Sequence, residues 1–146
     1  RSSRKGRKNG KGNGCLMSES FNLEIISPEN IIFKSDVIEV TIPAFEGLMS
    51  ILKDHIPLVT FLRPGFIQVK TKDSSKKFYI EEGTVEFTNN QLLILSSSAK
   101  NLEYFKKDKI NEMILDSKKE INNEEISDKE RYILSYKIET LNEINL

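Results

Sequence analysis

The residues that could do chemistry gather in one stretch, EGLMSILKDHIPLVTFLRPG, from Glu46 to Gly65. It holds the chain's single histidine, His55, directly after Asp54 and five residues after Ser50. A hydroxyl, an imidazole and a carboxylate are the parts of a hydrolytic triad, in which the acid must orient the imidazole. The local pattern argues against that use. Adjacent side chains on extended backbone point to opposite faces, so Asp54 is badly placed to hold His55. No nucleophile elbow frames Ser50. A lone histidine supplies no metal-ligand spacing. The single cysteine, Cys15, excludes a disulfide framework within the chain and a cysteine-based zinc site. Gly47, Gly65 and Gly83 are isolated, so there is no glycine-rich loop to cradle phosphate. His55 therefore reads as a loop residue bonded to backbone in its own turn, and no cofactor is expected.

The elements that would position this stretch change character along the chain. All four prolines, and every glycine beyond residue 16, lie between Pro28 and Gly83. The segment before Lys100 reads as short strands: FNLEII, IIFKSDVIEVTI, PLVTFL, FIQVKT, KFYIEE, TVEFT and QLLILS. Turns separate them at SPEN, PAFEG, LKDHIP, RPG, KDSSK and NN. Asn89-Asn90 predicts a tight hairpin turn, because asparagine tolerates the positive φ that such a turn requires. Many short strands with frequent turns predict an all-β sandwich over residues 20–100. After a boundary near Ala99 to Asn101 the period becomes helical. Ile110, Met113, Ile114 and Ile121 form one apolar stripe, and Leu134, Ile138 and Leu141 another. SDKE, Ser127 to Glu130, is a capping box that starts a second helix near Asp128. Residues 101–146 thus predict an antiparallel two-helix hairpin, with INNEEI as the break. Its stripes are narrow and its faces heavily charged, so it must pack on the β-domain or on a partner.

Composition sets further bounds. Six of the 22 Lys and Arg lie in the first 16 residues, which hold no acid, so the remainder of the chain is acidic. An acidic body repels phosphate, which argues against nucleic acid as a partner. Residues 1–16 are poor in apolar side chains and are expected to be disordered. They read as an expression remnant or misassigned upstream sequence, with Met17 as the natural start; a transit peptide is the rival reading. No stretch approaches the roughly 20 apolar residues needed to span a bilayer, so any membrane association would be indirect. These readings lead to a non-enzymatic two-part protein suited to binding. A free-standing binding module is one form of that; a small hydrolase using His55 is the distant alternative.

The array Pro43, Glu46-Gly47, Ile51-Leu52, His55-Ile56-Pro57, Leu62 and Pro64-Gly65 resembles the epsilon subunit family of F-type ATP synthases, called delta in mitochondria. FYIEEGTVEFTNNQLLILSSSA continues the likeness, which runs in order from Phe21 to Leu146. The resemblance implies a non-catalytic central-stalk subunit that couples the rotating membrane ring to the gamma subunit. It also implies a hairpin that either folds against the sandwich or rises along gamma and blocks ATP hydrolysis; here Lys106, Lys107, Lys109, Lys118, Lys119, Lys129 and Arg131 are the cations expected to meet acidic surface on the alpha and beta subunits. It places the protein on the cytoplasmic side of a bacterial plasma membrane or, alternatively, on the matrix side of a mitochondrial inner membrane. It makes Glu46, Gly47, Leu48, Met49, Lys53, Asp54 and His55 one rigid contact edge. There are departures. Ala44 and Ser50 stand where the family usually has Gly, Leu48 replaces a frequent Glu, Lys53-Asp54 replace Pro-Gly, and Glu82 replaces a Gly. The arginine of the motif by which some members bind ATP is missing from NLEYFKKDKI, so ATP is not expected to bind.

Overall fold

The computed structural model describes residues 19–144; the expectations for residues 1–16 lie outside this range. Ten strands come first: β1 Phe21–Ile26, β2 Ile31–Val37, β3 Glu39–Ala44, β4 Gly47–Leu52, β5 Leu58–Leu62, β6 Gly65–Lys70, β7 Ser75–Ile80, β8 Gly83–Thr88, β9 Gln91–Leu95 and the short β10 Lys100–Asn101. A 3-10 turn, Leu102–Tyr104, leads to helices α1 (Lys107–Ile121) and α2 (Asp128–Ile144).

The strands follow the order β10-β7-β6-β3-β5-β8-β9-β1-β2, with β4 paired to β3. Every pairing is antiparallel except β1 with β9. The sheet folds over at the single Ala44–Leu62 pair, where β3 passes from β6 to β5. Two layers then face each other, as expected for a sandwich. Alternation drives this closure. Val40, Ile42, Ile67, Val69, Phe78 and Ile80 point inward from one layer; Phe21, Leu23, Ile25, Val85, Phe87, Leu92 and Ile94 point inward from the other. Phe33 and Phe78 meet across the gap with ring centroids 5.2 Å apart.

The turn chemistry is met where the sequence placed it. Asn89 and Asn90 take φ of 51° and 59°, and Thr88 pairs with Gln91 across them. At the Ser127 cap, Glu130 N donates to Ser127 Oγ (3.1 Å) and Ser127 N donates to Glu130 Oε1 (2.9 Å). Gly65 is required by contact: a Cβ there would lie 2.7 Å from Pro43 Cβ.

Two strand expectations need correction. The run Ile31 to Ile42 is not one strand; it bends at Ile38 into β2 and β3. Val37 and Val40 are both buried, so the inward phase shifts across the bend, and Ile38 N donates to Lys70 O there. GLMSIL, left without a strand between the PAFEG and LKDHIP turns, forms the full strand β4, paired along its length with β3 after the two-residue turn Phe45-Glu46.

The hairpin lies down on the sandwich. In β7, Phe78 and Ile80 enter the sandwich core while Tyr79, between them, points to the other face. There it is fully buried among Ile110, Ile114 and Leu141, with Phe105 against its ring at 5.3 Å. Burying each of those three aliphatic side chains is worth about 1.5–3 kcal/mol before ordering entropy is charged against it. So small a core makes docking of the hairpin a modest free-energy balance.

Candidate interaction surfaces

His55 lies in the loop after β4. Its N–H donates to Leu52 O (3.1 Å), its Nδ1 lies 2.7 Å from Ile56 O, and its ring meets Phe87 edge-on at 6.0 Å. Asp54 turns away from it: Asn90 Nδ2 donates to Asp54 Oδ1 (2.9 Å), and Asp54 N donates to Asn90 Oδ1 (2.7 Å). This reciprocal pair ties the loop to the Asn89-Asn90 turn. Asp54 holds φ of 67°, the left-handed backbone that glycine adopts freely and that Asp tolerates with a local hydrogen bond. That geometry accounts for Asp standing where the resembling family has Gly. Ser50 Oγ pairs with Thr41 Oγ1 at 3.1 Å. The three groups of the imagined hydrolytic set therefore bond elsewhere, and His55 is a loop-building residue.

The contact edge expected from Glu46 to His55 is divided. β4 runs the length of the sandwich, six residues or about 20 Å. Glu46, Gly47 and Leu48 sit at one end with the Phe45-Glu46 turn; Lys53, Asp54 and His55 sit at the other with the Asn89-Asn90 turn. At the first end, Thr60 Oγ1 donates to Glu46 Oε1 (3.4 Å), Gly47 takes φ of 131°, and Leu48 is 66% exposed. Met49 points back and packs on the sandwich core.

A second exposed apolar surface lies on the outer face of the β5–β8–β9 layer. Val59 (67% exposed), Phe61 (60%) and Leu95 (46%) stand there, linked through the register pairs Phe61–Thr84 and Thr84–Leu95. Apolar residues grouped in this way on a sheet face mark a contact surface.

The hairpin meets the first end through side chains the sequence reading did not single out. Phe45 stacks on Tyr132, centroids 6.4 Å apart and planes 19° apart. Tyr132 packs edge-on against Tyr136 at 4.9 Å, and the Arg63 guanidinium lies over the Tyr136 ring at 4.0 Å. Tyr79 donates its hydroxyl to Glu81 Oε2 (3.0 Å), which Lys137 Nζ approaches at 3.4 Å. Burial, then the charge of Glu81 and the hydrogen bond to it, push the Tyr79 hydroxyl far above the usual tyrosine range. One signal for Tyr79 was legible: three consecutive large apolar residues, Phe78-Tyr79-Ile80, need cover on both faces of a strand. Arg131 corrects the expected cation set. Its guanidinium nitrogens donate to Ile121 O and Asn123 O, closing the C-terminus of α1, so it is engaged within the hairpin.

A β-sandwich followed by a docked helical hairpin, with exposed apolar residues on its outer faces, is a fold suited to binding. Residues 20–102 match the family described as ATP synthase, Delta/Epsilon chain, beta-sandwich domain. The ATP synthase epsilon chain of Pelagibacter ubique is 44% identical over 130 residues, covering 88% of this chain and all of that one. That of Rhizobium etli is 32% identical over 123 residues, 81% of this chain and 91% of its own. The fold is shared with a chain of the Euglena gracilis mitochondrial ATP synthase, solved as OSCP/F1/c-ring in rotational state 1. The TM-score is 0.70 and the identity 21%, covering 85% of this chain and 80% of that one. It is shared also with a chain of the Tetrahymena thermophila mitochondrial ATP synthase central stalk and c-ring, at TM-score 0.59, 13% identity, and coverage of 86% and 96%. The chain belongs to the delta/epsilon chain family of F-type ATP synthases. It is a non-catalytic subunit of that rotary enzyme, and among its described residues no helix is long and apolar enough to cross a membrane.

Proposed function

We propose that this chain couples the rotating membrane ring to the gamma subunit, binding gamma through the outer β5–β8–β9 face and the ring through the Phe45-Glu46 end. The exposed row Val59, Phe61 and Leu95 carries the reading, since such a face on a stalk subunit needs a partner to cover it. At the other surface Leu48 replaces the polar contact that a Glu there would make with an apolar one. The loop of Lys53, Asp54 and His55, tied to Asn90, forms a separate contact edge at the far end of the sandwich. The exposed lysines Lys106, Lys107, Lys109, Lys118, Lys119 and Lys129 meet acidic surface on the alpha and beta subunits when the hairpin leaves the sandwich, and so restrain hydrolysis. The assembly works on the cytoplasmic side of a bacterial plasma membrane. ATP is not a ligand of this subunit, because the segment before α1 supplies no arginine for its phosphates; micromolar binding by calorimetry overturns that claim.

Co-purification tests the gamma contact. Phe61→Asp together with Val59→Asp puts two charges on the proposed face while the inward side chains Thr60 and Leu62 stay in place. The expected result is a folded subunit that no longer recovers gamma. Recovery at the stoichiometry of the unsubstituted chain assigns gamma elsewhere.

A further inference from the structure

The Phe45-Glu46 end and the docked hairpin share one surface. Leu48 opens onto a groove of about 290 Å³ whose opposite wall is α2, with Tyr136, Glu139 and Glu143. Both glutamates are exposed, as is Glu46 on the neighbouring turn. Arg63 lines the same groove, but its guanidinium is stacked on Tyr136 and its Nη1 donates to Pro64 O at 3.1 Å. Glu139 and Glu143 therefore rim an apolar anchor, with Lys77 Nζ over the Phe66 ring at 4.8 Å beside the Glu143 end. Above the groove runs an unbroken series of ring contacts, Phe45–Tyr132–Tyr136–Arg63, from the β3–β4 turn across the first turns of α2 to the β5–β6 turn.

We propose that the docked hairpin completes the seat for the ring: Leu48 from the sandwich and Glu139 and Glu143 from α2 together take a basic loop of a ring subunit, and the Phe45–Tyr132 contact links occupancy of that seat to hairpin position. This rests on the ring contact at Leu48 proposed above. Charge selects the occupant, since an apolar anchor rimmed by carboxylates complements a loop carrying Lys or Arg beside an apolar residue. When the hairpin departs, Tyr136, Glu139 and Glu143 leave with α2 and Leu48 stands alone. Ring affinity therefore differs between the two hairpin positions. By linkage, ring binding raises the ratio of docked to undocked chains by the same factor by which docking raises ring affinity.

The test uses the full chain with Cys15→Ser and spin labels at Asp73→Cys and Lys118→Cys, two exposed sites on the sandwich and on α1. Electron–electron distance measurements give the docked fraction for the complex with gamma, before and after addition of the isolated ring. Ring addition is expected to raise that fraction. Glu139→Gln with Glu143→Gln is expected to leave the label distance of the free chain unchanged and to weaken ring binding about threefold to tenfold at low salt. The difference should shrink at high salt as the rim charges are screened. Phe45→Leu keeps the turn apolar but removes the ring stacked on Tyr132; it is expected to lower the docked fraction and, with it, the ring affinity of the free chain. A cross-link from Leu48→Cys to the ring separates the two levels of the argument. If it fails to form, the ring contact and this inference fall together. If it forms while ring affinity ignores the glutamates, or while docked fraction and affinity change independently, the linkage falls and the ring contact stands.

Discussion

Tyr79 is the residue through which the two parts of the chain are joined. Its neighbours in β7 serve the sandwich core, while its own ring is the centre of the hairpin cluster. Its hydroxyl is held in the neutral form by burial and by Glu81, so its pKa is raised on folding. The unfolded tyrosine ionises near pH 10. Stability from this group is thus complete below about pH 10 and declines as pH rises above it, since only the unfolded state then loses the proton. Tyr79→Phe should flatten the alkaline limb of a stability-against-pH curve measured by denaturant titration; an unchanged limb assigns it to other groups. Leu48 poses the opposite case, a large apolar side chain left in solvent. Leu48→Asp should leave the unfolding free energy of the isolated subunit within about 0.5 kcal/mol of the parent and reduce ATP-driven proton pumping in the reconstituted complex. A marked loss of monomer stability would show that Leu48 belongs to the fold instead.

Among the elements, α2 has the clearest start. The reciprocal Ser127–Glu130 bonds satisfy donors that would otherwise be orphaned at the helix N-terminus. Ser127→Ala should cost about 0.5–2 kcal/mol. The cost should appear as faster amide exchange in α2 with no change in β8 and β9; equal acceleration in those strands would mean that hairpin and sandwich open as one unit. This cap and the Asn89-Asn90 turn were legible because each is a local rule written in a few adjacent residues. β4 was not, for a physical reason. Met49 and Ile51 face the core, but Leu48 and Leu52 on the solvent side are apolar too, which erases the period-2 signal. The residues that hid the strand are those left free for a partner. The bend at Ile38 was hidden likewise, because apolar residues flank it on both sides. The ring contacts Phe45–Tyr132 and Arg63–Tyr136 join positions about 70–90 apart in the chain. No pattern within one segment encodes such pairs.

At the scale of the molecule, the division into two parts has energetic content. Among the described residues, the sandwich core cluster contains none beyond Ala99, and the hairpin cluster draws only Tyr79 from the sandwich strands β1–β9. The sandwich is therefore closed without the helices, whereas the helices depend on it for most of their apolar cover. A chain ending at Lys106 keeps β10, the 3-10 turn and Phe105 against Tyr79, so only part of the Tyr79 ring is bared. It should retain cooperative unfolding and recover gamma, because Val59, Phe61 and Leu95 are untouched. Without the hairpin, every lysine proposed to engage the catalytic subunits except Lys106 is gone, and ATP hydrolysis by the reconstituted complex should rise. The ring seat should weaken in the same truncation, since Glu139 and Glu143 are lost while Leu48 remains. These effects have different signatures: uncoupling lowers proton pumping per ATP hydrolysed, whereas relief of restraint raises the hydrolysis rate itself. A truncated complex with unchanged hydrolysis eliminates the regulatory role of the hairpin. A truncated chain without cooperative unfolding shows that the hairpin is needed to close the fold, and that the cluster around Tyr79 is a second half of one core.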